Sequence, residues 1–92
     1  MNKYEVMYIL NPELEEEKIQ ALVEKFKALI EANGTLESLT EWGKRRLAYP
    51  IMYKTEGYYV LAEFSAEPDF PAELERVLKI TDGVLRYLVT KK

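Results

Sequence analysis

Three successive cations, Lys44-Arg45-Arg46, follow Gly43 and run directly into Leu47-Ala48-Tyr49-Pro50. Residues of this type suit phosphate: the guanidinium is a planar fork of donors that matches a phosphate or carboxylate edge. Adjacent residues on extended chain point to opposite sides, so Arg45 and Arg46 are not one charged face. The competing reading is a solvated strand end. A second charged run, Glu13, Glu15, Glu16 and Glu17, could be taken for a metal site. A hard-cation loop wants ligands at alternating positions around a glycine turn, which this run lacks. Carboxylates clustered ahead of an apolar periodic stretch fit the positive end of a helix dipole better.

Other chemistries lack their residues. The chain has no histidine and no cysteine. This excludes a Cys/His zinc site, an imidazole base and a disulfide framework. The four glycines are isolated, so there is no phosphate-cradling loop. No metal, cofactor or catalytic constellation is expected. Gly57-Tyr58-Tyr59-Val60 faintly echoes the aromatic signature of RNA-recognition sheets. Glu56 stands where a basic residue belongs in that signature, and structural tyrosines are the simpler reading.

The net charge of −3 hides a segregated pattern. Residues 11–40 and 55–85 are acidic blocks, at −4 and −5, while residues 41–54 and 86–92 each carry +3. Local potential rather than net charge decides where an anion approaches. No apolar run reaches the roughly 18 residues that span a bilayer. The N-terminus has no small-residue cleavage site, and a soluble cytoplasmic protein without a membrane partner is expected.

Ninety-two residues make one domain, 1–92. KYEVMYIL reads as a strand over 3–10. Asn11 then suits a helix N-cap and Pro12 the first helical position. Ile19, Leu22, Val23, Phe26 and Ile30 recur with helical period, Leu29 alongside, and Gly34 fits a left-handed helix end. Residues 35–49 are extended, with Leu36 and Leu39 breaking alternation, which predicts a bulge. Residues 50–57 connect to a third strand, GYYVLAEFSA. Asp69 can cap a second helix with a Phe70, Leu74, Val77, Leu78 face; Thr81-Asp82-Gly83 closes it, and VLRYLVTKK is the last strand. The order β-α-β-β-α-β predicts an α+β, ferredoxin-like sandwich, a four-stranded antiparallel sheet with two helices on one face. If Val6, Tyr8, Val60, Ala62 and Phe64 face the helices, Glu5, Met7, Ile9, Tyr59, Leu61 and Glu63 lie on an open face. Met7, Tyr59 and Leu61 are its candidate partner-binding residues, since exposed apolar surface favours a partner.

The stretch Trp42 to Ile51 resembles the signature of the bacterial small-subunit ribosomal protein S-six family, with Gly43, Arg45, Arg46, Leu47, Ala48, Tyr49 and Ile51 matching in order. The likeness extends to Tyr4-Glu5, Asn11-Pro12, Gly34 and Asp82 to Arg86. Met52 and Tyr53 depart from the pattern, and the longer charged tail of many members is not present after Lys92. The resemblance implies a non-enzymatic protein of the small ribosomal subunit. Its partners would be small-subunit ribosomal RNA and a small basic protein, ribosomal protein S-eighteen, during assembly of the platform. A basic partner would supply charge that an acidic chain lacks toward RNA. On this reading Lys44, Arg45 and Arg46 are candidate RNA or protein contacts, with Lys3, Lys54, Arg86 and Lys91 as additions. Pairing of the first and last strands would let Lys3 and the C-terminal bases form one patch. Leu47, Tyr49 and Ile51 are expected to anchor the strand end by packing.

Two alternatives come from other classes. An acylphosphatase-type enzyme needs an anion cradle after the first strand, but that loop, residues 11–17, carries four glutamates and would repel a phosphate. A regulatory domain would dimerise through its sheet and bind a small ligand; the leading reading has no small-molecule substrate.

Overall fold

The computed structural model describes residues 2–51 and 54–92, with backbone alone at 47–51, 54 and 55. Strand β1 (Asn2–Leu10) leads to helix α1 (Glu16–Asn33), the hairpin β2 (Gly34–Ile51) and β3 (Lys54–Ala66), helix α2 (Phe70–Ile80) and strand β4 (Val84–Lys91). The sheet is antiparallel in the order β2-β3-β1-β4. This is the ferredoxin-like sandwich that the element order predicts.

Period-two alternation sorts the sheet as expected. Tyr4, Val6, Tyr8 and Leu10 of β1, with Val60, Ala62, Phe64 and Ala66 of β3, are buried against the helices. Helix α1 contributes Ile19, Val23, Phe26 and Ile30; α2 contributes Phe70, Leu74 and Leu78. Each such side chain, taken from water into the core, stabilises the fold by about 1.5–3 kcal/mol. Aromatic contacts order the centre: Phe64 stacks on Tyr4 at 5.7 Å and meets Phe70 edge-on at 5.7 Å. Tyr8 meets Phe26 edge-on at 5.0 Å.

Local chemistry departs from the sequence reading in four places. Helix α1 starts at Glu16, later than an Asn11 cap implies. The Asn11 side chain instead accepts the Glu13 N–H at 3.0 Å, closing a turn, while its own N–H donates to the Gly83 carbonyl at 2.7 Å. That tie to the start of β4 holds Asn11 outside the helix. Gly34 is extended, with φ −175, rather than left-handed. It is needed for space: a Cβ there would lie 2.1 Å from the Ser65 carbonyl oxygen. The β2–β3 connection is shorter than residues 50–57, because both strands run on to Ile51 and from Lys54. Asp69 occupies the N-cap position of α2 but makes no side-chain cap bond, its backbone being already helical at φ −86, ψ −16. The predicted bulge is present between Leu36 and Ser38. The packing expected of Leu47, Tyr49 and Ile51 lies outside the described residues.

Tyr8 places a phenol in this core. Its hydroxyl is buried with no hydrogen-bond partner among the described residues. An unmet buried hydroxyl costs about 1–3 kcal/mol. Tyr8→Phe is therefore expected to stabilise the domain by about 1 kcal/mol, a rise of roughly 4–8 °C in Tm for a domain this size. Burial first, and the charges of Glu41 and Tyr58 second, hold the Tyr8 phenol protonated well above its ordinary value of 10.0. The unfolded chain ionises this group near that value, so its contribution is intact below it and is lost as pH rises further. The decline in Tm above about pH 10 should be shallower in Tyr8→Phe. An unchanged Tm at neutral pH and an unchanged alkaline slope would contradict both statements.

Candidate nucleic-acid and partner interface

Three irregularities shape β2, the last of them between Arg46 and Ile51. Beyond the one at Leu36/Ser38, the register shifts again between Glu41, opposite Val60, and Gly43, opposite Tyr59. Gly43 takes φ 78, where an L side chain is strained, although a Cβ there would meet nothing within 4 Å. The extra residue is Trp42. Its ring lies nearly parallel to that of Tyr59, with centroids 6.4 Å apart and 12° between planes, and the residue stays 44% exposed. Glu41 turns the other way. Its carboxylate accepts the Tyr58 hydroxyl at 2.9 Å and the Gln20 amide at 3.1 Å, pinning α1 to the hairpin. Burial, followed by the hydrogen bond to Glu41, raises the Tyr58 pKa.

The three successive cations follow this bulge. Arg45 stands opposite Gly57, on the open-face side of the register; Lys44 stands opposite Tyr58 and Arg46 opposite Glu56, on the helix side. Lys44 also lines a groove with Glu16, Gln20 and Tyr58. All three are exposed, and none makes an ion pair with another described residue. Lys54 pairs in register with Ile51 at the hairpin end, and its side chain lies outside the described residues.

The remaining candidates divide between the ends of the sheet. Arg86, exposed, stands opposite Ile9 in the row that continues through Tyr59 to Gly43. Lys3 lies at the far end, opposite Ser65, with its ammonium 4.0 Å from Glu37. At about 3.4 Å per residue, Lys3 and Arg45 are separated by roughly 27 Å along β3. Lys91 stands opposite Tyr4 and therefore on the helix side, away from Lys3. The basic residue beside Lys3 is Lys92, whose N–H donates to the Lys3 carbonyl at 2.9 Å.

Comparison with known proteins bears on both the fold and the strand that carries these cations. The family model of Ribosomal protein S6 matches residues 3–91. The chain belongs to the ribosomal protein S6 family. Small ribosomal subunit protein bS6 of Caldanaerobacter subterraneus subsp. tengcongensis is 56% identical over 92 residues, covering 99% of this chain and 97% of that protein. The bS6 protein of Clostridium novyi is 54% identical, covering 97% of this chain and 95% of its own. The crystal structure of 30S ribosomal protein S6 from Thermotoga maritima superposes with a TM-score of 0.94 at 30% identity, covering 99% of this chain and 87% of that one. This S6 chain is accordingly a protein of the small ribosomal subunit, and its family is one of structural ribosomal proteins, not enzymes. That sets aside the acylphosphatase-type reading. No helix among the described residues is long and apolar enough to cross a membrane.

The open face of this S6 chain is chemically graded. Met7 and Leu61 are half-buried partners across β1 and β3, with Leu88 beside Met7 on β4, 55% exposed. Ile9 is buried at 4% within the same face, outside the main core cluster. At the end near Lys3, Glu5 and Glu63 stand directly opposite each other, a repulsive arrangement for like charges. Lys92 offsets it, with its ammonium 2.8 Å from Glu63 and 3.8 Å from Glu5. The hydrogen bond to Glu63 raises the Lys92 pKa. Sequence reasoning missed Trp42, and of the C-terminal bases expected beside Lys3 it named Lys91 where the structure places Lys92. Counting by twos along β4 from Arg86 places Lys92 on the open face, so that signal was present. No such count finds Trp42, because the bulge reverses its side.

Proposed function

We propose that this small-subunit ribosomal protein binds small-subunit ribosomal RNA together with a small basic ribosomal protein, S-eighteen, during platform assembly. The observation that carries the reading is the separation of charge along β2 and the open face. Among the described residues, Lys44, Arg45 and Arg46 at the hairpin end make no ion pair, while farther along the open face lie the apolar Met7 and Leu61 and the facing carboxylates Glu5 and Glu63, the latter bound by Lys92. Exposed arginines without carboxylate partners suit phosphate. A half-buried stripe of Met7, Leu61 and Tyr59, bordered by Glu5 and Glu63, suits a basic protein that buries apolar surface. The partner's own cations then add to the phosphate contacts, so each protein strengthens the other's attachment.

The test is capture of ribosomal RNA fragments with and without the basic partner. Binding is expected with both proteins present and to be weak with either alone. Arg45→Glu combined with Arg46→Glu is expected to weaken binding by about 100-fold, from roughly 1.5 kcal/mol per charged contact. The dependence of log affinity on log salt should flatten by about 2. Both residues are exposed, so the reversed protein should stay folded, with its melting curve lowered only by the repulsion of about 0.2–1 kcal/mol that Arg46→Glu meets opposite Glu56. Equal affinity in the reversed protein would remove these arginines from the interface.

A further inference from the structure

The cations of β2 lie where the sheet narrows. Strand β1 ends at Leu10, whose β3 partner is Tyr58, whereas β3 continues back to Lys54 and β2 onward to Ile51. Residues 45–51 and 54–57 therefore extend past β1 as a two-stranded ribbon, whose register shifts between Arg46 and Ile51. Its register places Arg45 on one side and Arg46 on the other, with Lys44 on the same side as Arg46 at the ribbon's base.

We propose that this ribbon lies between two separate backbone segments of folded RNA, Arg45 meeting one and Lys44 with Arg46 meeting the other. The inference rests on the RNA reading above and adds the form of the RNA. Packed sheets need about 10 Å between their mean planes to house the side chains of their facing sides. Arginines reaching outward from both sides of one ribbon thus touch phosphates well over 10 Å apart, with the ribbon filling the space between them. One regular RNA duplex does not offer such a slot. Its deep groove is too narrow for side chains to read and its other groove is wide and shallow. Two diverging segments do, as where a helix opens into a loop or meets another helix. A protein face is the less suitable occupant for Arg45, because the proposed partner is itself basic and the anion at hand is phosphate.

The experiment is hydroxyl-radical footprinting of a ribosomal RNA fragment bound to the S6 chain and the basic partner, at saturating protein. Arg45→Gln is compared with the double variant Lys44→Gln, Arg46→Gln, each checked for an unchanged melting curve. The expected result is two protected backbone segments, one lost with Arg45→Gln and the other with the double variant. Loss of the same segment in both variants would overturn the two-sided placement while leaving RNA binding intact. So would binding of an uninterrupted RNA duplex as tight as that of the folded fragment. No protection by the unaltered protein would instead overturn the RNA reading itself.

Discussion

Phe64→Ala is expected to destabilise the domain by about 3–5 kcal/mol, the range for removing a fully buried phenyl ring. The residue sits in central strand β3 at 1% exposure, between Tyr4 and Phe70. It joins three elements, β1, β3 and α2, so the vacated space has little freedom to collapse. Natural domains retain only about 5–15 kcal/mol in total, and the variant should be near the edge of folding at 37 °C. A shift in the urea midpoint at unchanged slope would measure it. Leu88→Ala is the control: on the open face and 55% exposed, it should change stability by less than about 0.5 kcal/mol. Comparable losses in the two variants would mean that the core does not lie between the helices and this side of the sheet.

The second large effect comes from one methyl group. Gly34→Ala would set a Cβ 2.1 Å from the Ser65 carbonyl oxygen and 3.0 Å from the Ala66 Cβ. The nearer atom is backbone in a central strand and cannot rotate away. Helix α1 ends at Asn33 and β2 begins at Gly34, so no loop intervenes to absorb a displacement. Overpacking of this kind costs about 1–3 kcal/mol, and the upper end is expected here. Denaturant unfolding measures the loss. The usual benefit of replacing glycine by alanine, about 0.4–1 kcal/mol through the unfolded chain, is the outcome that would contradict the close approach.

Much of this architecture was legible because it follows from two periods. The helical spacing of Ile19, Val23, Phe26 and Ile30 and the alternation of Val6, Tyr8, Val60, Ala62 and Phe64 each name a buried face, and both faces are buried. The element order then restricts the topology. The site was harder to read, because its geometry depends on interruptions of those periods. Counting by twos back from Arg45 assigns Trp42 to the helix side. The irregularity at Gly43 adds a residue to one strand only and brings the indole onto Tyr59 instead. Asn11 and Gly34 were misread for another reason. Each carries a sound local signal, but a tertiary contact decides its conformation: the Gly83 carbonyl for one and the Ser65 carbonyl for the other. The opposite placement of Arg45 and Arg46 needed only extended chain and was available from the start. Which candidate cations share a surface needed the full register, since Lys3 and Lys91 fall on opposite sides of paired strands.

The three register shifts in β2 have a consequence for the protein before it is assembled. At 18 residues, β2 is long for an edge strand, and its outer backbone donors and acceptors are a template on which another chain could add a strand. A bulge twists and interrupts such a template, and β2 is interrupted at Leu36/Ser38, at Glu41/Gly43 and at Arg46/Ile51, with like charges at Lys44, Arg45 and Arg46 between the last two. No long flat stretch is left for edge-to-edge aggregation. The irregularity that displays Trp42 thus also helps keep newly made copies from polymerising through this edge.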